Sequence, residues 1–246
     1  MRLYKFWMKD IFLHTNKIFY KNKMMFLISF ITSLVSISSV VSFFIPIKII
    51  LILESPSMLN LFISENLSIN LLFSGLILIF CISVYISIFG KLYLNKISLH
   101  LRQQLWETHK IKEDISLKKA TFDRTLKKTL AIYADIITLS LILFLVSWLD
   151  YMVAIFIFSC FVAFLFYTQK TAQDMDKTYE YQTLLQTLSN ACFYMTFILI
   201  LTLYFSGIKI VLISTLLAFM LSRVYFRSLQ QFSINSISLY KEFNKK

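Results

Sequence analysis

Arg223 and Arg227 stand four residues apart in TLLAFMLSRVYFRSLQQFS, residues 215–233, where an apolar run turns polar. At 100° per residue, Arg223, Arg227 and Gln230 share one narrow face of a helix. Cations on one stripe beside lipid have two uses. They anchor the helix by snorkelling to anionic headgroups, or they line a cytoplasm-open cavity that draws an acidic ligand or partner. Asp135, in LAIYADIITLS, is the second candidate. Inside a membrane span a carboxyl group marks a proton or cation site; just outside it is an ordinary interfacial acid.

Other chemistries are excluded by composition. The three glycines, Gly75, Gly90 and Gly207, cannot write the phosphate-cradling GxxxxGK[ST] loop. Neither a GxSxG nucleophile elbow nor an HExxH zinc motif occurs. His14, His100 and His109 have no second His or Cys at ligand spacing, and read as solvated surface residues. Cys81, Cys160 and Cys192 all fall in apolar runs and read as small buried apolar residues, with no disulfide framework implied. The chain is expected not to be an enzyme and to need no cofactor or metal.

The elements that must position these residues are membrane helices. The 246 residues are 58% hydrophobic and 15% charged, with a mean hydropathy of +0.70. A soluble domain of that composition would leave too much apolar surface in water. Six runs are long enough to cross a bilayer, at about 24–53, 67–90, 129–149, 151–167, 188–205 and 208–226. Asp150 divides the third from the fourth in a tight turn at WLDY, and SGIK joins the last two. With the N-terminus inside, segments 1–23, 91–128, 168–187 and 223–246 are cytoplasmic and hold 6, 10, 2 and 5 Lys/Arg, which is 23 of the 25. That asymmetry puts both termini in the cytoplasm. The net charge of +12 therefore faces the inner leaflet and not a nucleic acid.

Residues 1–23 alternate an apolar face (Leu3, Trp7, Ile11, Ile18) with a basic one, which fits a helix lying along the inner leaflet. In the first span Pro46 should kink the outer half, and Lys48 can snorkel to headgroups or face a cavity. Residues 91–128 carry Ile97, Leu101, Leu105, Ile111 and Ile115 at near-helical spacing. They are expected to form two helical arms with a turn near KEDISLKK, reaching roughly 24 Å below the membrane. The apolar stripe on these arms needs a partner. The connection 168–187 is much shorter, with arms of roughly 13 Å.

This order of elements resembles the transmembrane domain of ABC exporters: a leading elbow-type helix, a Pro-containing first span, a long cytoplasmic hairpin, a tight third–fourth turn and a closing fifth–sixth pair. LRQQLW at 101–106 is similar to that family's LRxxL stretch before the first coupling helix. LFLVSWLDYMVAIFIF and FSGIKIVLISTLLAFMLSRVYFRSLQQFS are similar to its third–fourth turn and closing segment. The resemblance implies an all-α membrane domain that works in pairs, as a homodimer or heterodimer, with its ATPase on a separate chain. It makes the turn at Lys112, Glu113, Asp114 and Ser116 a cytoplasmic docking element, where Asp114 and Ser116 can cap a short helix. A bacterial cytoplasmic (inner) membrane is the expected location. Two departures stand out: the short second hairpin, and Arg227 where the family often has proline.

Three functions follow as expectations. The first is a transmembrane subunit of an ABC-exporter-like transport complex. The second is a non-transporting relative kept as a scaffold or accessory subunit, which the short second hairpin favours. The third is a small secondary transporter or channel built on Asp135 or the arginine pair.

Overall fold

A computed structural model describes residues 23–54, 69–112, 119–174, 178–206 and 212–244. The described residues form six helices and no strand: α1 (Lys23–Glu54), α2 (Ile69–Lys112), α3 (Lys119–Leu149), α4 (Tyr151–Asp174), α5 (Thr178–Phe205) and α6 (Leu212–Asn244). Five of them, α1 to α5, contain stretches long and apolar enough to cross a membrane. The expected sixth span, 208–226, starts outside the described residues, and α6 is described from Leu212. The helix expected in 1–23 lies outside them except for Lys23, as do Glu113, Asp114 and Ser116 of the docking turn; Lys112 ends α2.

Continuous helix is what this sequence allows. In lipid every backbone amide and carbonyl must be satisfied within its own segment, and glycine and proline are nearly missing. Pro46 lies inside α1, which nevertheless continues to Glu54. Many hydroxyls are satisfied the same way, on carbonyls three or four residues back: Thr32 on Ile28, Ser36 on Thr32 and Thr196 on Cys192. That is how helices so rich in Ser and Thr remain compatible with an apolar surround.

The turn at Asp150 is as tight as WLDY suggests, since α3 ends at Leu149 and α4 starts at Tyr151. Asp150 Oδ1 accepts the amides of Met152 at 3.0 Å and Val153 at 3.2 Å, which caps α4. Trp148, Tyr151, Tyr204 and Phe205 are exposed around this end of the bundle, in the manner of an interfacial aromatic belt.

The polar arms are helical extensions of the spans, α2 running unbroken through Gly90 to Lys112 and α3 entering from Lys119. The first part of their apolar stripe packs inside the chain, while the side chains of Ile111 and Ile115 lie outside the described residues. Leu101 is 2% exposed and packs with Met25 and Ile28 of α1 and Leu126 and Leu130 of α3, flanked by Ile97, Leu105 and Phe122. The larger core is built from α3, α4, α5 and α6 around Ile142, Ile157, Leu185 and Leu229. Across these contacts run three buried polar clamps: Ser29 Oγ donates to the Leu130 carbonyl, Ser33 and Thr138 share a 2.7 Å hydrogen bond, and Ser189 Oγ donates to the Phe226 carbonyl. By contrast, only 6% of the apolar window of α2 is buried within the chain.

Candidate functional site

Helix α6 carries Arg223, Arg227 and Gln230, and its buried positions, among them Leu221, Tyr225 and Leu229, point at the core. The arginines therefore take the opposite side: both are exposed, and Gln230 is half-buried. Arg223 leans on α5, its Cζ lying 5.9 Å from the centroid of the Phe193 ring. Phe193 is itself stacked on Phe219 at 4.5 Å. This cation–π contact fixes the guanidinium against the α5–α6 groove.

The depth of that groove follows from helix register. Phe193 is twelve residues from each end of the apolar stretch Tyr181–Phe205, about 18 Å in either direction. Arg223 is thus level with the middle of that apolar stretch of α5. The part of α5 that flanks the arginines is two-faced. Tyr181, Leu185 and Ser189 are buried, while Gln182, Gln186 and Asn190, spaced four apart, are exposed. These three amides were missed from sequence: Gln182 and Gln186 fall before the expected fifth span, 188–205, and Asn190 falls inside it.

Helix α4 calibrates the same level on another side of the bundle. Cys160 on α4 and Cys192 on α5 border the same core, sixteen residues either side of the middle of the 174–178 connection. Antiparallel helices in that register bring residues whose numbers add to about 352 to one height. Phe166 is then level with Gln186, Val162 with Asn190, and Phe158 with Tyr194. Phe158, Val162 and Phe166 are exposed and apolar. At one height, therefore, the bundle offers an apolar surface on α4 and an amide-and-arginine surface on α5 and α6.

Asp135 takes no part in this surface. It lies on α3 within the apolar stretch Phe122–Leu149, with Oδ2 buried and without a hydrogen-bond partner. The hydroxyls of Tyr181, Ser233 and Ser236 share that condition. Lower on α3, Lys128 Nζ donates to Ser238 Oγ on α6 at 2.6 Å, tying the two helices together. Among the described residues no group of three or more His, Cys, Asp or Glu could hold a metal ion. No protein-family model, curated protein or solved structure matches the chain.

Proposed function

We propose that this chain is the transmembrane subunit of an ABC-exporter-like transport complex, with its ATPase on a separate chain and both termini in the cytoplasm of a bacterial inner membrane. The Arg223, Arg227 and Gln230 face, continued by Gln182, Gln186 and Asn190, lines a water-filled path between this domain and a second, similar one. The observation that carries this reading is the unequal surface at one height. Lipid on the α4 side is matched by Phe158, Val162 and Phe166. On the α5–α6 side the same depth carries two exposed arginines. An arginine at the centre of a lipid-facing helix costs about 2.5–3.5 kcal/mol on insertion scales. Two of them beside three amides make lipid the wrong neighbour, and water with a second domain the right one. The positive charge suits a path for an anionic or acidic solute.

The test is solvent access. Arg223→Cys and Gln186→Cys, each in a chain whose three native cysteines are serine, should react in membranes with a water-soluble, membrane-impermeant maleimide. Reaction with a lipid-soluble maleimide alone would refute the path.

A second reading, a non-transporting scaffold of the same architecture, draws on the short α4–α5 hairpin. Beyond the apolar stretch Tyr151–Thr168, α4 adds only six residues, about 9 Å of helix. Purification in mild detergent separates the two: a nucleotide-binding partner supports transport, and a cytoplasmic partner of another kind supports the scaffold.

A further inference from the structure

Helix α2 carries a groove that the proposed path does not use. Its volume is about 520 Å³, and Tyr85, Phe89, Gly90, Leu92, Tyr93 and Lys96 line it. At 100° per residue, Tyr85, Phe89, Leu92 and Lys96 fall within about 60° of one another, so one stripe of the helix supplies both the rings and the cation. The Tyr85 and Phe89 rings lie 4.5 Å apart. Gly90 contributes only backbone, at the point where α2 abuts Val35 of α1. The side chains of Tyr85, Phe89, Leu92 and Tyr93 are more than half exposed, and Lys96 is exposed as well. From Tyr85 to Lys96 is eleven residues, about 16 Å of helix, against about 15 Å for the hydrocarbon of one leaflet.

We propose that this groove holds one anionic phospholipid, with an acyl chain along Tyr85, Phe89 and Tyr93 and the phosphate on the ammonium of Lys96. The order of chemistry along the groove is that of such a lipid. Apolar side chains line it for the depth of one acyl chain, and the cation stands where the headgroup begins. An anionic headgroup accepts the hydrogen bonds of the ammonium and cancels its charge. A zwitterionic headgroup brings a cation of its own and cancels less. A helix of a second protein would have to meet Lys96 with an acid at that one point. Lipid contact by itself is general on α2, since only 6% of its apolar window is buried within the chain. What Lys96 adds is a preference for one headgroup charge. The leaflet that supplies the lipid rests on the orientation proposed above, which puts Lys96 at the inner, anionic surface; the preference itself does not.

The experiment places the protein in phosphatidylcholine nanodiscs with a trace of a photoactivatable lipid, its diazirine at mid-chain. The probe is phosphatidylglycerol in one sample and phosphatidylcholine in the other. Both leaflets then have one composition, so the outcome does not depend on how the chain is oriented. Mass spectrometry counts cross-links at residues 85–93 and, for comparison, at Phe158, Val162 and Phe166, the exposed apolar face of α4. The phosphatidylglycerol-to-phosphatidylcholine ratio at the groove should exceed that on α4 about five-fold, the worth of one lysine at an anionic surface. Lys96→Gln should bring the two ratios together. Lys91→Gln removes the same charge about 140° round the helix and should leave the preference in place. Equal ratios in the wild type overturn the proposal, as does a preference that survives Lys96→Gln or that Lys91→Gln also abolishes. Labelling of α4 with no cross-link from either lipid at 85–93 means that protein covers the groove, and overturns it as well.

Discussion

Gly90→Ala sets two known effects against each other. Gly90 lies within α2, where replacing glycine with alanine ordinarily favours the helix by about 1 kcal/mol. Against it stands the neighbour. A Cβ built on Gly90 lands on Cγ2 of Val35 in α1. Val35 is 4% exposed, and a β-branched side chain in a helix has essentially one χ1 rotamer to occupy. It cannot swing aside, so α1 and α2 must separate locally. Overpacking of this kind costs about 1–3 kcal/mol. The net expectation is a loss of about 0–2 kcal/mol, and for a chain of this size each kcal/mol is worth about 2–4 °C in melting temperature.

The sign is made decisive by a second substitution. Val35→Ala removes the two methyl groups in the way, at a cost of about 1–2 kcal/mol in lost packing. In that background a methyl at position 90 has room, and only its helical benefit should remain. The double variant should therefore be more stable than the two single losses predict, with a coupling of about 1–3 kcal/mol. Thermal unfolding in detergent, followed by tryptophan fluorescence, reads all four corners of the cycle. Trp106 is a suitable reporter because its ring lies 5.4 Å from that of Phe122 on the facing arm. If Gly90→Ala alone raises the melting temperature, and Val35→Ala leaves that effect unchanged, the close approach of α1 and α2 at this point is refuted.

Two further substitutions test the polar contacts. Ser33→Ala breaks the hydrogen bond to Thr138, but Thr138 keeps its bond to the Ala134 carbonyl at 2.8 Å; the loss should be near 0.6 kcal/mol, a typical interhelical bond in a membrane, and a fall in melting temperature of more than about 6 °C would contradict it. Asp150→Ala strips the cap from α4 and should cost about 1 kcal/mol, whereas Asp150→Asn should retain most of the stability; equal losses in both would mean that the carboxylate charge, not the cap, matters.

The helices were legible because few residues argue against them. Glycine and proline are scarce, WLDY holds the one acid between two apolar runs, and the spacing of Ile97, Leu101 and Leu105 marks an arm with one apolar side. The spacing does not say what covers that side. Leu126 and Leu130 on the returning arm and Met25 and Ile28 at the start of α1 cover Leu101, flanked by Ile97 and Leu105. Asp135 was picked out as an acid within a span; that its Oδ2 has no hydrogen-bond partner depends on what the neighbouring helices present, which no single segment records.

Depth is the quantity that hydropathy conceals most. A window average treats all faces of a helix alike, so Gln182 and Gln186 pull the mean down and the expected fifth span starts at 188. The three amides occupy one exposed face, and an adjoining face at the same height carries Tyr181, Leu185 and Ser189 into the core. An amphipathic stretch like this fits either a helix below the membrane or one lining water within it. Helix α4 favours the second under the proposed function, because Phe166 and Val162 are exposed and apolar at the same height. Under the proposed path, lipid reaches down α4 at least to Phe166, and the arginines on α6 and the amides on α5 then face water within its thickness.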